Sequence, residues 1–228
     1  MLFKYTGRFD EAAELYEAAL QVQAMRLGRE HPEVATVLHN IGGLAHAAGR
    51  PAEGEAPARE ALAIRRKALG FDHPDTAAEA AALAGILIAL DRDDEAEMLL
   101  QEALAVFVRC FGSSHLEVGI TLGSLGAIDA KRGRLSEAEE RLRQALRIKE
   151  QRLGRDHIEL VPTLGTLGVI RRRQGESTEA RRVYQRAIAI AEGQMRPDHP
   201  QLISLRVNLK RVANGTMTTT HRVGAPPT

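Results

Sequence analysis

The sequence predicts an all-α solenoid, a stack of helix pairs repeated along the chain, and three observations support this fold class. A turn residue recurs every 42 residues, at Gly7, Gly49, Asp91, Gly133 and Gly175. An alanine keeps the same spacing, at Ala19, Ala61, Ala103, Ala145 and Ala187. A histidine does so too, at His31, His73, His115, His157 and His199. A fixed period of this length is typical of solenoids built from stacked supersecondary units.

Each copy contains two amphipathic helices. Ala12, Leu15 and Ala19 advance by threes and fours, which is the stripe of a helix with one buried face. His31-Pro32 then opens the other helix type, because proline is tolerated in a first turn. First-type helices are predicted at 32–48, 74–90, 116–132, 158–174 and 200–213, and second-type helices at 10–27, 52–69, 94–111, 136–153 and 178–195.

Helix starts are indicated by capping patterns. Ser136 with Glu139 spells a capping box, and Asp94 with Glu97 has the same spacing. The five histidines are interpreted as turn or cap residues. Successive histidines are separated by one repeat, on the order of 10 Å, whereas ligands of one zinc ion lie ~2 Å from the metal. No metal site and no cofactor are therefore expected.

Two groups of prolines interrupt the repeat pattern. Pro51, Gly54 and Pro57 crowd the start of one second-type helix, which is expected to begin late or to be kinked. Pro162 lies near the start of its helix and is expected to displace or bend the first turn.

The repeat pattern covers residues 1–213, and the first repeat is truncated because it lacks most of its first-type helix. Leu15, Tyr16 and Leu20 should then be partly uncovered, so self-association through this end is predicted. Residues 214–228 have no apolar period and are expected to form a disordered tail.

Composition excludes several classes of function. The chain has 31 lysines and arginines against 30 aspartates and glutamates, a net charge of +1, so a general affinity for nucleic acid is not expected. Cys110 is the one cysteine, which excludes an intrachain disulfide. Neither a signal-peptide apolar region nor a run of 18 apolar residues is present, so we expect a cytoplasmic protein without membrane contact.

Catalytic chemistry is not indicated by any cluster of residues. The glutamates of the second-type helices, such as Glu137, Glu139 and Glu140, are expected to lie on solvated outer faces. Cys110 is expected to be a partly buried bystander thiol. His39 and His46 are seven residues apart and cannot share a metal ion. The sequence therefore predicts a protein that is not an enzyme.

Small residues mark where the two helices of a pair approach each other: Gly42, Ala84, Gly126 and Gly168 on first-type helices, and Ala12, Ala96, Ala138 and Ala180 on second-type helices. These columns resemble the tetratricopeptide repeat. The 42-residue period and the Leu-Gly-x-x-His-Pro turn are similar to repeats of kinesin light chain and of bacterial signalling proteins. The resemblance implies a right-handed superhelix of antiparallel helix pairs whose concave face receives a peptide or partner helix.

The resemblance also implies which residues line this groove. An asparagine two residues before the small position contacts the peptide in kinesin light chain repeats, and the matching residues are Asn40, Ala82, Ser124, Thr166 and Asn208. Ala82 departs from the pattern because its side chain cannot hydrogen-bond. His39 and Gly85 lie where a clamp for chaperone tails would place lysine or asparagine, so that specificity is not expected.

The projected concave face changes from small, apolar residues near Ala78, Ala81 and Gly85 to a basic end with Lys131, Arg172, Arg173 and Arg211. Two readings of the basic end stay open: it attracts an acidic ligand, or it complements helix dipoles.

The function expected is a protein-interaction scaffold, part of a larger signalling or cargo-binding protein, that binds a peptide with an apolar anchor and acidic residues. Two alternatives are a regulatory array of a multidomain enzyme and a helical-repeat RNA binder. The latter would need stacking aromatics, and the chain has three tyrosines, five phenylalanines and no tryptophan.

Overall fold

A computed structural model describes residues 9–220 of the chain, with side chains up to residue 213. In this range the chain forms ten α-helices and one short 3₁₀ helix and has no strand, so the predicted all-α class is confirmed. Two compact units divide the chain, Met1–Ser113 and Ser114–Thr228.

The described part of the first unit, from residue 9 on, holds five helices, and each packs against the next along the chain. They are α1 (Phe9–Leu27), α2 (Pro32–Ala47), α3 (Pro51–Leu69), α4 (Pro74–Ala89) and α5 (Asp93–Phe111). Helices α2 and α4 are of the first type, and α1, α3 and α5 of the second. One core cluster consists of Leu20, Val34, Ala35, Leu38, Ala61 and Ile64.

In the second unit the two helix types alternate as well, beginning with a first-type helix. It contains α6 (Leu116–Lys131), α7 (Leu135–Leu153), the 3₁₀ helix Ile158–Leu160, α8 (Val161–Arg173), α9 (Ser177–Glu192) and α10 (Pro200–Thr220). Helices α6, α8 and α10 are of the first type. Tyr184 of α9 is fully buried in a core cluster that also holds Leu164 of α8 and Leu205 of α10.

The histidine column caps the first-type helices, which confirms the capping interpretation. In each repeat the imidazole Nδ1 accepts a hydrogen bond from the backbone N–H two residues further on. The N···N distances are 3.2 Å at His31, 3.1 Å at His73, 3.3 Å at His115, 3.2 Å at His157 and 3.3 Å at His199.

Glycines that recur at one position of the repeat end the helices, and others allow the two helices of a pair to approach closely. Gly112 ends α5 with φ 83°, a left-handed conformation that glycine adopts without a Cβ penalty. A Cβ added to Gly168 would lie 2.5 Å from Cε1 of Tyr184, and one added to Gly54 would lie 2.7 Å from the Gly42 oxygen. The predicted close approach within helix pairs is therefore confirmed.

The two helices for which capping boxes were predicted begin one residue earlier than expected. Helix α7 begins at Leu135, with Arg134 in the N-cap position, and α5 begins at Asp93 after Arg92, and neither N-cap side chain makes a capping hydrogen bond. The reason is the tightness of the turn: the Leu135 N–H donates to the Gly133 oxygen, so the helix starts before Ser136.

The prolines have different effects in the two units. Helix α3 begins at Pro51, so the expected late start is wrong, because a proline N–H is not needed in the first turn. Pro57 lies inside the continuous helix. Pro162 follows the 3₁₀ helix and is the second residue of α8, which confirms the displaced start.

The last helix runs to Thr220, past the predicted boundary of the array at residue 213. Residues 221–228, the rest of the predicted disordered tail, lie outside the described residues, as do residues 1–8 of the truncated first repeat. No helix in residues 9–220 is both long and apolar enough to cross a membrane.

Candidate peptide-binding groove

A groove of about 470 Å³ lies between the three first-type helices of the second unit. It is lined by Ala127, Ala130, Lys131, Val161, Pro162, Gly165, Thr166, Val169, Arg173, Gln201, Ser204, Leu205 and Asn208. Four of these residues, Lys131, Thr166, Arg173 and Asn208, were predicted as groove residues. The structure therefore brings one part of the predicted site together.

The groove combines an apolar floor with polar and basic groups. Alanine, valine and leucine side chains from all three helices form the floor, and Thr166, Gln201, Ser204 and Asn208 supply hydrogen-bonding groups. Lys131 and Arg173 are cationic, and none of the lining residues is acidic. The arrangement favours an anionic group on any occupant.

Arg173 has a structural contact as well as a place in the groove. Its Nη1 donates a 2.7 Å hydrogen bond to the backbone oxygen of Ala130, in the last turn of α6. This contact agrees with the helix-dipole interpretation. A guanidinium has five N–H donors, so one such bond does not use up its capacity for hydrogen bonding.

Arg172 and Arg211 are placed elsewhere. Both lie near the buried phenol of Tyr184, where their positive charges oppose the effect of burial, which raises the pKa of Tyr184. Arg211 is exposed and Arg172 is half-buried. Neither lines the groove with Lys131 and Arg173, so their predicted part in peptide binding has no geometric support and stays a prediction.

The predicted asparagine-type column differs between copies. The Thr166 hydroxyl donates to the Pro162 oxygen at 3.1 Å, and the Ser124 hydroxyl lies 3.4 Å from the Ile120 oxygen. Asn40 and Ala82 of the first unit are half-buried. Their role in ligand binding also stays a prediction.

His39 and Gly85 occupy the equivalent face of the first unit. His39 Nδ1 lies 2.8 Å from Oε2 of Glu79, whose side chain is only 7% exposed. Nε of Arg65 lies 3.7 Å from the other carboxylate oxygen. The hydrogen bond to Glu79 raises the pKa of His39, and burial opposes this rise. His39 is thus already engaged inside the protein, while Gly85 is half-buried near the ring of His46.

Sequence reasoning missed a buried cation in the second unit, Lys149 of α7. This residue is 5% exposed, and its Nζ donates to the Glu159 oxygen and to Thr163 Oγ1, both at 3.2 Å. Burial lowers the pKa of Lys149, and the negative charge of Glu159 partly offsets the effect. Little in the sequence indicated this buried lysine, because the residue type at its position is not kept from repeat to repeat. The other copies have Gln23, Arg65, Phe107 and Ala191 there.

Three further expectations are corrected. Glu139 is 8% exposed rather than solvated, because it accepts hydrogen bonds from Arg171 and, at 3.0 Å, from Gln174. Cys110 is exposed rather than partly buried, since it lies on the outer side of the last turn of α5.

The exposed face of α1 agrees with the prediction in part. Leu15 is 59% exposed and Tyr16 is half-buried, as expected, whereas Leu20 is buried in the core. Val22 and Met25, which the prediction did not name, are 53% and 87% exposed. Self-association through this face stays a prediction. Within the described part of the chain, no group of three or more His, Cys, Asp or Glu residues could hold a metal ion.

Comparison with known families decides the classification. One tetratricopeptide repeat profile matches residues 1–67 and 76–151, and a second matches residues 163–196. The chain belongs to the tetratricopeptide repeat family. The tetratricopeptide repeat is a scaffold that generally mediates protein interactions, which is the broad function expected from the sequence.

Solved structures of tetratricopeptide-type proteins are similar to this chain. A kinesin light chain-like protein of Podosopora anserina with nearly identical repeats is 26% identical, with a TM-score of 0.63 over 84% of this chain and 92% of that chain. BtubC (BKLC) from P. vanneervenii is 18% identical, with a TM-score of 0.63 over 96% of this chain and 94% of that chain. The likeness to BtubC shows the fold alone. No curated protein sequence matches the chain.

Proposed function

We propose that this tetratricopeptide repeat protein is a non-enzymatic interaction module that binds an acidic peptide segment with an apolar anchor in the α6–α8–α10 groove. The observation that carries the proposal is the chemistry of the lining: an apolar floor, two cations and no acidic side chain among the residues that form it.

The size of the groove suits a short segment of peptide. A volume of about 470 Å³ lies within the ~300–1,000 Å³ range of ligand pockets. Ala127, Pro162 and Val169, the groove's apolar residues with exposed surface, would contact an apolar anchor. Thr166 and Asn208 would meet the polar backbone of the peptide, and Lys131 with Arg173 would attract its carboxylates.

RNA is the competing polyanionic ligand, and the groove does not favour it. Sequence-specific binding of single-stranded RNA relies on aromatic or arginine planes on which bases stack. None of the residues lining this groove is aromatic, and its one arginine, Arg173, already donates to the Ala130 oxygen. A flexible oligonucleotide therefore serves as a comparison ligand in the test.

The test uses three sets of short fluorescein-labelled peptides that share a leucine or phenylalanine anchor. The anchor is flanked by aspartate and glutamate in one set, by lysine and arginine in the second, and by serine and glutamine in the third. Fluorescence anisotropy should show binding of the acidic set only. Equal binding of all three sets, or preference for a labelled oligonucleotide, would contradict the proposal.

Charge reversal locates the binding surface. Lys131→Glu and Arg173→Glu should each weaken binding of the acidic peptides by about tenfold, equivalent to 1.4 kcal/mol. The same reversal at Arg147 and Arg181, exposed residues of α7 and α9, should change the affinity little. Arg141 and Arg143 are unsuitable as controls, because they pair with Asp129 and Glu139 at 2.6 Å.

The salt dependence of binding distinguishes the electrostatic contribution of the cations from the apolar contribution of the anchor. At about 0.15 M salt the Debye length is about 8 Å, so higher concentrations should slow association through the exposed cations. Dissociation should respond less, because it depends on the apolar anchor. Association and dissociation rates from stopped-flow anisotropy would test this division.

A further inference from the structure

The groove between α6, α8 and α10 has two chemically different ends. Its lining residues on α8 run from the first residue of this helix, Val161, to the last, Arg173, so the groove follows the length of α8. Lys131 is likewise the last residue of α6, and these two cations are the charged residues of the lining. The other end, where α8 and α10 begin, is lined by uncharged residues such as Pro162 and Gln201.

The contact made by Arg173 locates the cationic end. Its Nη1 donates to the Ala130 oxygen at 2.7 Å, which brings the last turns of α6 and α8 together. Lys131 follows Ala130 in the chain and is exposed, as is Arg173. An anionic group of an occupant would therefore lie at this end of the groove.

Gly165 interrupts the lining of α8 toward the opposite end. It lies one turn from Pro162 and one turn from Val169 on the same face of the helix, and it places no side chain between these two apolar residues. A Cβ at Gly165 would lie 3.3 Å from Cδ2 of the buried Leu205, which forms the floor at this point. A side chain at position 165 would therefore fill part of the groove or displace Leu205.

Helix α10 provides a polar wall along the groove. Gln201, Ser204 and Asn208 follow one another at spacings of three and four residues, on one face of this helix. An extended peptide has backbone N–H and C=O groups that such side chains can bond, whereas a helical peptide satisfies most of these groups itself. The polar wall therefore favours an extended occupant.

We propose that Gly165 determines which apolar anchor is accepted, and that anchor and carboxylate occupy separate subsites, four residues apart in an extended peptide. The inference rests on the proposed function and adds a spacing and a direction to the ligand. Gly165 and Arg173 are eight residues apart, which is about 12 Å along α8 at about 1.5 Å per residue. Four residues of extended peptide span about 13 Å, and side chains four residues apart point to the same side.

Peptides of constant composition test the spacing. Each carries one leucine anchor and one glutamate in a background of serine and glutamine, with the glutamate at increasing distances before or after the anchor. Fluorescence anisotropy should show the tightest binding at a spacing of four in one direction, about tenfold tighter than at a spacing of two, where the side chains are only about 7 Å apart. Equal affinity at every spacing and on both sides would overturn the inference.

A substitution at Gly165 tests the anchor subsite. Gly165→Ala should shift the preference from leucine and phenylalanine anchors toward alanine, changing the ratio of these affinities by about tenfold. A general loss of stability would not change this ratio. The matched control is Gly43→Ala in the first unit, where an added Cβ would meet no neighbouring group in the part of the chain that the structure describes. An unchanged ratio in Gly165→Ala would show that Gly165 does not contact the anchor.

Substitutions at the cations test the other subsite. Lys131→Gln and Arg173→Gln should remove the dependence on glutamate position and keep the preference for a large anchor. Acidic peptides that bind equally well at every spacing would contradict the two subsites and leave the groove proposal intact. Failure of every acidic peptide to bind would contradict the groove proposal itself, and the inference with it.

Discussion

The contact between His39 and Glu79 joins two helices of the first unit through a group that titrates near neutral pH. The hydrogen bond to Glu79 raises the pKa of His39 in the folded protein, against the opposing effects of burial and of the Arg65 charge. A raised folded-state pKa means that the contact contributes its full stability below the unfolded value of about 6.5. This contribution is lost as the pH rises through the higher folded-state value.

We therefore expect a pH-dependent difference between the wild type and His39→Gln. The wild type should be more stable below about pH 6, by roughly 1 kcal/mol or less because the His39 side chain is 42% exposed, and the difference should shrink as the pH rises above the raised folded-state pKa of His39. Urea unfolding at a series of pH values measures it. Glu79→Gln serves as a control and should remove the same pH dependence. A difference that stays constant with pH would contradict the assignment.

Single residues also show how far sequence reasoning reaches. The capping histidines and the small residues at helix contacts were predictable, because the histidine recurs at one position of all five copies and the small residue of the first-type helices at one position of four. The repeat pattern could not predict that Arg172 and Arg173 lie on different faces of α8. Adjacent helical residues point about 100° apart, so Arg173 lines the groove while Arg172 lies near Tyr184. Only the packing of α8 against its neighbours decides between them.

Helix boundaries depend on local signals, and the capping histidines provide the clearest one. The His31 side chain accepts the Glu33 N–H and satisfies one of the backbone donors that have no partner within the first turn of α2. Loss of an N-cap side chain costs about 1 kcal/mol on average. The same arrangement recurs at the start of the other first-type segments.

His31→Ala should therefore lower the free energy of unfolding of the first unit by about 1 kcal/mol. His31→Asn should retain most of the stability, since asparagine is a strong N-cap residue. Chemical denaturation followed by far-UV circular dichroism compares the three proteins. An alanine variant as stable as the wild type would show that the hydrogen bond contributes nothing.

Helix starts that depend on turn geometry were less predictable. The capping boxes at Ser136 and Asp94 fit the sequence pattern, yet α7 and α5 begin one residue before them. Sequence pattern does not report how tightly the chain turns after Gly133. The displaced start at Pro162 was predictable, because the proline ring itself limits the backbone.

At the scale of the whole molecule, each of the two compact units has its own buried core. Stability in repeat proteins is approximately a sum of repeat and nearest-neighbour terms, so cooperativity need not extend over the whole chain. Differences in local composition, such as Pro51, Gly54 and Pro57 in α3, favour different stabilities for the two units.

We expect the two units to lose protection at different denaturant concentrations. Hydrogen exchange followed by mass spectrometry at increasing urea concentrations would resolve peptides from α2–α4 and from α7–α9 in the intact chain. The peptides from α2–α4 should exchange first, because an interior proline removes a backbone hydrogen bond from α3. A common midpoint for all peptides would indicate a single two-state transition.

The paired columns Arg65–Glu79 and Lys149–Thr163 have a consequence for how such a protein can diversify. One repeat pairs its cation with a carboxylate and another with a hydroxyl, yet both keep the histidine cap and the small residues that shape the helix pair. Duplication or exchange of a whole 42-residue segment would therefore move either polar contact along the array without rebuilding any helix contact inside it. Genetic recombination between repeats would in this way rearrange the polar residues between the helices while the helix framework stays the same.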